Sequence, residues 1–420
     1  MIAVYFYFIK YIALRAKGDL IMEFTLPTTT AIRVLDEANY EFVTTHEDRF
    51  EEEIRHMEEQ INWIHDLETK ELNLIPMDGP VFAKQYAEDY GIDEDLVYST
   101  MDRDGSSLML SDLRNTWCVG TTCITALSER AKLFGSALGR MNPTDFSTCL
   151  NLGFANARDG KTLGYEVYGK MASLHAEGNY EIMPISELVS IARNTLTDDF
   201  GYANFIQGVN RVDMTTCIWE LPNAKDVITK AYKKALMEAH MNSNYDVEDM
   251  MPVIKFQTSN TANSSAFLFP MFKCGCSYIP LVSNISVRHD HVKDSTGIEL
   301  FKKESHEIWS RFRETSEKVK ELAETMISHG PNCVVSLCKR YGIPRKYGSI
   351  AYEQIDGFTG NGIFPISAHD IYMSIARAVG QARTMKASLQ TIFQLEENVA
   401  KILSADWSDH DVAGNLGWGK

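Results

Sequence analysis

Cys274-Gly275-Cys276, followed by His289-Asp290-His291, puts two thiols and two imidazoles in one strand-rich stretch. Residues at i and i+2 of a strand share a face, so a hairpin joining these strands would converge four ligands of the kind tetrahedral zinc takes. Structural zinc loops favour two residues between cysteines, whereas one stands here. Two buried thiols beside a turn glycine and two partly exposed histidines account for the same pattern. The expectation is therefore no cofactor, with zinc on Cys274, Cys276, His289 and His291 as the alternative.

A second constellation suits phosphate chemistry. Lys302, Lys303, Arg311, Arg313, Lys318, Lys320, Lys339, Arg340, Arg345 and Lys346 are interleaved with Trp309, Phe312, Tyr341 and Tyr347. Cations that hold the backbone and rings that stack on bases are the means by which single strands are bound. The competing account pairs the cations with Glu304, Glu307, Glu314, Glu317, Glu321 and Glu324 on a solvated helix, and gives the rings to the core. The leading expectation is a non-enzymatic protein that binds or anneals single-stranded DNA through Lys302, Lys303, Arg311, Arg313, Lys339, Arg340, Arg345 and Lys346.

Catalytic signatures are missing from the sequence. It has no Gly-X-Ser-X-Gly elbow and no His-Glu-X-X-His pair. His306-Glu307 and His369-Asp370 read as polar helix faces or caps. Asp93, Asp95, Asp102 and Asp104 lack the alternating register of a calcium loop. Gly357, Gly360 and Gly362 in EQIDGFTGNGIFP read as a connecting loop, because no Lys-Ser or Lys-Thr pair opens a helix after them.

The elements that position these residues follow from periodicity. In HEDRFEEEIRHMEEQINWIHDLETKELNL, Phe50, Ile54, Met57, Ile61, Ile64 and Leu67 recur at steps of three and four, which predicts an amphipathic helix within 45–74. Its carboxylates read as a solvated face, and the alternative function of the chain is to engage a protein partner through this acidic helix. Beyond Ser111, a helical region around ITALSERAKLFGSALGRM precedes strand pairs in TLGYEVYGKMASLHAEGNYEIM and the helix ISELVSIARNTL. Strands in GYANFIQGVNRVDMTTCIWEL, a helix in NAKDVITKAYKKALMEAH and the strand block MPVIKFQ to SVRHDH come next. The last third is helical. The pattern predicts α+β, divided as an acidic helical segment (22–110), an α+β core (111–296), a helical region packed on it (297–406) and a tail (407–420).

With 45% hydrophobic and 23% charged residues over 420 positions, the chain carries enough apolar surface for a large core and is not a disordered one. Its net charge of −16 excludes little, because 22 acidic against six basic residues between Glu23 and Leu110 account for all of it. A neutral remainder still presents local basic faces. Cys118, Cys123, Cys149, Cys217, Cys274, Cys276, Cys333 and Cys338 form no disulfide-framework pattern, which predicts reduced thiols and cytoplasmic residence. The apolar opening does not read as a signal peptide or span, since Lys10, Arg15 and Lys17 follow the apolar run. Lys17-Gly18-Asp19 is encodable as a ribosome-binding sequence before Met22, so residues 1–21 are expected to precede the true start.

Several segments together resemble the phage/plasmid-like family catalogued as domain of unknown function 932. They are LSERAKLFGSALGRMNPTDFSTCLNLGFANAR, GYEVYGKMASLHAEGNYEIMPISELVSIA, FQTSNTANSSAFLFPMFKCGCSYIPLVSNISVRHDH and SAHDIYMSIARAVGQARTMKASLQTIFQLEENVAKIL, spanning roughly residues 125 to 405. Where the family carries cysteine, asparagine and glycine, this chain has Cys274-Gly275-Cys276. The resemblance implies a mobile-element protein, hence the cytoplasm of a bacterial host cell, and transfers no catalytic residue.

Overall fold

A computed structural model describes residues 41–76, 84, 108–112, 114–120, 122–135, 137–158, 160–167, 170–178, 180–239, 250–261, 265–275, 277–281, 285–287, 297–414 and 416–418. It opens with β1 (Phe42–Thr44), α1 (Glu47–Glu58), β2 (Ile61–Glu68), β3 (Asn73–Pro76), β4 (Leu108–Ser111) and β5 (Thr116–Val119). Then come α2 (Cys123–Arg130), α3 (Pro143–Ala155), β6 (Lys161–Val167), β7 (Lys170–Ala176) and α4 (Ile185–Phe200). The middle holds β8 (Asn204–Asn210), β9 (Thr215–Glu220), α5 (Lys225–Glu238), β10 (Met251–Thr258), β11 (Ala266–Cys274), β12 (Ser277–Pro280) and β13 (Ile285–Val287). The last third contains α6 (Ile298–Ser305), α7 (Ile308–Glu324), β14 (Met326–Ile327), α8 (Gly330–Arg340), α9 (Arg345–Phe358), β15 (Ile366–Ser367), α10 (Ala368–Thr384) and α11 (Leu389–Ile402).

The architecture is α+β with a helical C-terminal region, as the pattern predicts. One sheet runs β1-β8-β9-β10-β11-β12, with β13 also on β11, and its pairings are antiparallel. The other runs β2-β6-β7-β5-β4-β3, with β5 parallel to β7. β10 and β11 read as near-continuous apolar runs because both faces of the first sheet are covered. On one face Ile254, Phe256, Leu268 and Phe272 join the main core with Phe301, Phe312 and Ile371 from the helices. On the other, Val253, Phe267, Phe269 and Met271 form a separate cluster that meets Ala400 of α11. Local signals set helix starts. Asn142, Ser367 and Ser388 accept the amide protons of Asp145, Asp370 and Thr391 at the openings of α3, α10 and α11.

The predicted 45–74 helix is corrected. The helix stops at Glu58, and Ile61, Ile64 and Leu67 belong to β2, paired with β6. A bulge between Ile64 and Leu67, with Asp66 at φ 60°, inserts one residue into the strand. That extra residue turns the strand spacing of two into three, so a bulged strand imitates helical periodicity. The acidic helical segment 22–110 is corrected with it, as far as it is described. Its residues supply β1 to the first sheet and β2, β3 and β4 to the second, while Phe50, Ile54 and Met57 are fully buried. Residues 1–40 and the Asp93 to Asp104 patch lie outside the described residues.

A further difference concerns the C-terminal third. EQIDGF is not loop but the end of α9, since Tyr347, Ala351 and Ile355 form a buried helical stripe that the flanking glycines obscure. In the 407–420 tail Trp407 is buried, and the Trp418 ring packs on α8 and α9.

α1 approaches β8 at Gly208, where an added Cβ would collide with the Phe50 ring. Phe50 has no exposed surface and no room to retreat. Gly208→Ala is therefore expected to destabilise the fold by about 1–3 kcal/mol through overpacking. Chemical denaturation checks this: a midpoint equal to that of the parent would mean that the ring is free to shift.

Candidate nucleic-acid interface

The ten cations of the 302–346 stretch, eight of them the predicted phosphate-binding residues and the other two Lys318 and Lys320, fall into groups with different surroundings. Arg311 and Lys318 on α7 each meet a carboxylate on the same helix, Glu314 at 3.1 Å and Glu321 at 2.8 Å, and Lys320 faces Glu238 of α5 at 3.5 Å. These three charges are largely compensated. Lys302, Lys303 and Arg313 are exposed on α6 and α7. The remaining four, Lys339, Arg340, Arg345 and Lys346, are all exposed and flank the four-residue connection from α8 to α9. None of the four has a carboxylate within ion-pair distance among the described residues.

Local sequence makes this corner rigid. Gly342 sits at φ 68°, and the amide of Ile343 donates to the Cys338 carbonyl at 2.8 Å, closing α8 with a Schellman turn. Ile343 is buried, Pro344 precedes the first residue of α9, and Lys339 and Arg340 fall in the last turn of α8, where the helix dipole favours cations. Lys346 lies over the Tyr347 ring at 4.7 Å. The corner thus displays four positive charges on a preorganised backbone, a geometry suited to phosphate oxygens.

The aromatic half of the expectation is corrected. Phe312 and Tyr347 are core residues with at most 3% exposure, because each lies on the inward stripe of its helix. Trp309 is half-buried against Phe200 at 4.4 Å, with its indole N–H donating to the Asp199 carbonyl. Tyr341, half-buried beside His410, borders the corner with part of its surface exposed. The acidic face of α1 is engaged internally as well. Glu47 accepts from the Trp219 indole, Glu51 pairs with Arg193 at 2.5 Å, and Glu58 accepts from the Ser186 amide at 2.9 Å. Glu52 and Glu59 remain exposed.

Of the zinc candidates, Cys276, His289 and His291 lie outside the described residues. Cys274 ends β11, and its sulfur accepts a hydrogen bond from the Arg377 guanidinium at 2.7 Å. Among the described residues no group of three or more His, Cys, Asp or Glu side chains is placed to hold a metal. His369-Asp370 is buried rather than solvated, with the His369 Nε2 2.7 Å from the Tyr232 hydroxyl. Burial, with the Asp370 charge nearby, pushes the Tyr232 hydroxyl well above the usual phenol range. This network ties α5 to α10. No helix among the described residues is long and apolar enough to cross a membrane.

A feature that sequence reasoning missed runs along α8. The C-terminal strap (residues 405–414 and 416–418) lies on this helix through its successive exposed turns. Asp411 accepts from the Ser328 and His329 amides at 2.9 and 2.7 Å, and the His410 ring meets the Ser336 hydroxyl at 2.8 Å. Asn332 donates to the carbonyls of Val412 and Gly414 and accepts from the Leu416 amide. Lys339 donates to the Gly417 carbonyl at 2.7 Å. Burial weighs against the Asp411 charge, yet the Ser328 and His329 donors prevail and hold this carboxyl below its ordinary range. The i, i+3, i+4 spacing of polar residues on α8 was the available signal, but it also fits an open solvated face. Comparison with protein families, curated proteins and solved structures finds no match to this chain.

Proposed function

We propose that this chain is a phage- or plasmid-type protein of DNA metabolism that binds single-stranded nucleic acid without catalysing a reaction, in the cytoplasm of a bacterial host. The observation that carries the reading is the α8–α9 corner, with four exposed cations on a rigid turn and no compensating carboxylates among the described residues. Counterion release by such a cluster supplies affinity without base recognition. Burial of Phe312 and Tyr347 makes the contact one with the backbone more than a stacking platform. Cys123, Cys149, Cys217, Cys274, Cys333 and Cys338 are free thiols, which supports a reducing compartment.

Fluorescence anisotropy of the purified protein with labelled single- and double-stranded oligonucleotides, at low and moderate salt, tests this reading. Binding that prefers the single strand and weakens steeply with salt is expected. Absence of binding at low salt would overturn it.

A further inference from the structure

The strap on α8 ends at the basic corner, and its chemistry is opposite to that of the corner. Asp406, Asp409 and Asp411 make it acidic, and it holds no lysine or arginine among its described residues. It occupies one of the four cations directly, through the bond from Lys339 to the Gly417 carbonyl. Arg340 lies close enough to the His410 ring to oppose its protonation, so a second cation of the corner also borders the strap. At its end the Trp418 ring fills a seat between α8 and α9. A Cβ at Gly348 would collide with that ring, and the Cys338 sulfur lies beside the same point. Several hydrogen bonds and an apolar anchor thus fasten a negatively charged segment beside a phosphate-binding surface.

We infer that the strap is a built-in competitor of nucleic acid, docked along α8 so that an acidic segment and the phosphate backbone exclude each other at the α8–α9 corner. This inference rests on the proposed function. Its physical basis is that a peptide carbonyl and a phosphate oxygen claim the same ammonium protons of Lys339. Asp406 and Asp409, which act on the same His410 ring as Arg340, add a negative potential that lowers the phosphate affinity of the neighbouring cations, while Asp411 is held at the opposite end of α8 by the Ser328 and His329 amides. Release of residues 412–418, which follow the buried Trp407 and the bound Asp411, frees Lys339 while leaving the helices in place, because this part of the strap is held by Asn332 and Lys339 on the outer face of α8 and by the Trp418 ring.

The test uses full-length Asn332→Ala/Trp418→Ala, which removes the three bonds of Asn332 and the apolar anchor without altering the corner. The probe is a fluorescein-labelled oligothymidylate of about 30 nucleotides. The variant is expected to bind about three- to tenfold more tightly than the parent, with a salt dependence steeper by about 0.7 in log–log slope for the one cation released. A synthetic peptide of residues 405–420 added to the variant is expected to restore the weaker affinity. Thermal denaturation of both proteins verifies that the fold survives, and Asn332→Ala alone serves as a milder opening if the double variant is unstable. Equal affinity of parent and opened protein overturns the competitor role while the proposed function stands. No binding by either protein overturns the proposed function, and this inference with it.

Discussion

Glu396→Ala is expected to cost about 3–5 kcal/mol of folding stability, the loss typical of stranding one partner of a buried ion pair. Lys255 on β10 has no exposed surface, and its ammonium meets Glu396 of α11 at 3.1 Å above the Phe393 ring, 3.7 Å from the ring centre. Arg383 donates to the other Glu396 oxygen at 2.7 Å and lies over the Tyr278 ring. The carboxylate therefore offsets two cations between the sheet and α11. Burial lowers the Lys255 pKa below its ordinary 10.5, and Glu396 opposes that lowering. Without Glu396 the folded pKa falls further, so the unfolded state binds more protons and the variant becomes more stable as pH rises towards 10.5. Chemical denaturation at neutral and alkaline pH checks both the size and the sign. A loss under 1 kcal/mol, or one that does not shrink at high pH, would count against a stranded charge. Lys255→Met/Glu396→Leu is expected to recover much of the stability, since apolar replacements of a buried pair are often neutral or better.

Reversing the charge of Lys339, Arg340, Arg345 and Lys346 to glutamate is expected to abolish oligonucleotide binding at moderate salt and leave the melting temperature nearly unchanged. All four side chains are exposed, and none has an ion-pair partner among the described residues whose loss would destabilise the fold. Each phosphate contact on a single strand contributes about −0.7 to the slope of log K against log salt, so reversing the corner reduces its magnitude by about 2 in the parent, where the strap holds Lys339, and by about 3 in the opened variant. The matching reversal of Arg311, Lys318 and Lys320 provides the contrast. Those cations already face carboxylates, and their contribution to the slope is expected to be small. Equal losses from both sets would mean that the nucleic-acid surface is not the α8–α9 corner.

Much of this molecule was legible from local pattern. Asn142, Ser367 and Ser388 mark helix starts because a side-chain oxygen satisfies an amide two or three residues away. The apolar runs of β10 and β11 announce strands covered on both faces, and the stripe on α7 announces its inward side. These features depend on neighbours along the chain, so a single sequence carries them. Pattern failed where a distant partner overrode it. Ile61, Ile64 and Leu67 have helical spacing, yet pairing with β6 across a bulge draws them into a strand.

Which cations stand unpaired was equally hidden. Lys320 is compensated by Glu238, distant in sequence, and Lys255 by Glu396, which is 141 residues away. The strap escaped notice because its hydrogen bonds join Asp411, Val412 and Gly414 to residues some 80 positions earlier. Charge and composition along the chain established that cations were plentiful between 302 and 346 and that a large core would form. Only the packing of α8 against α9 gathered four of those cations around one rigid turn, since which charges stand together depends on what folding brings side by side.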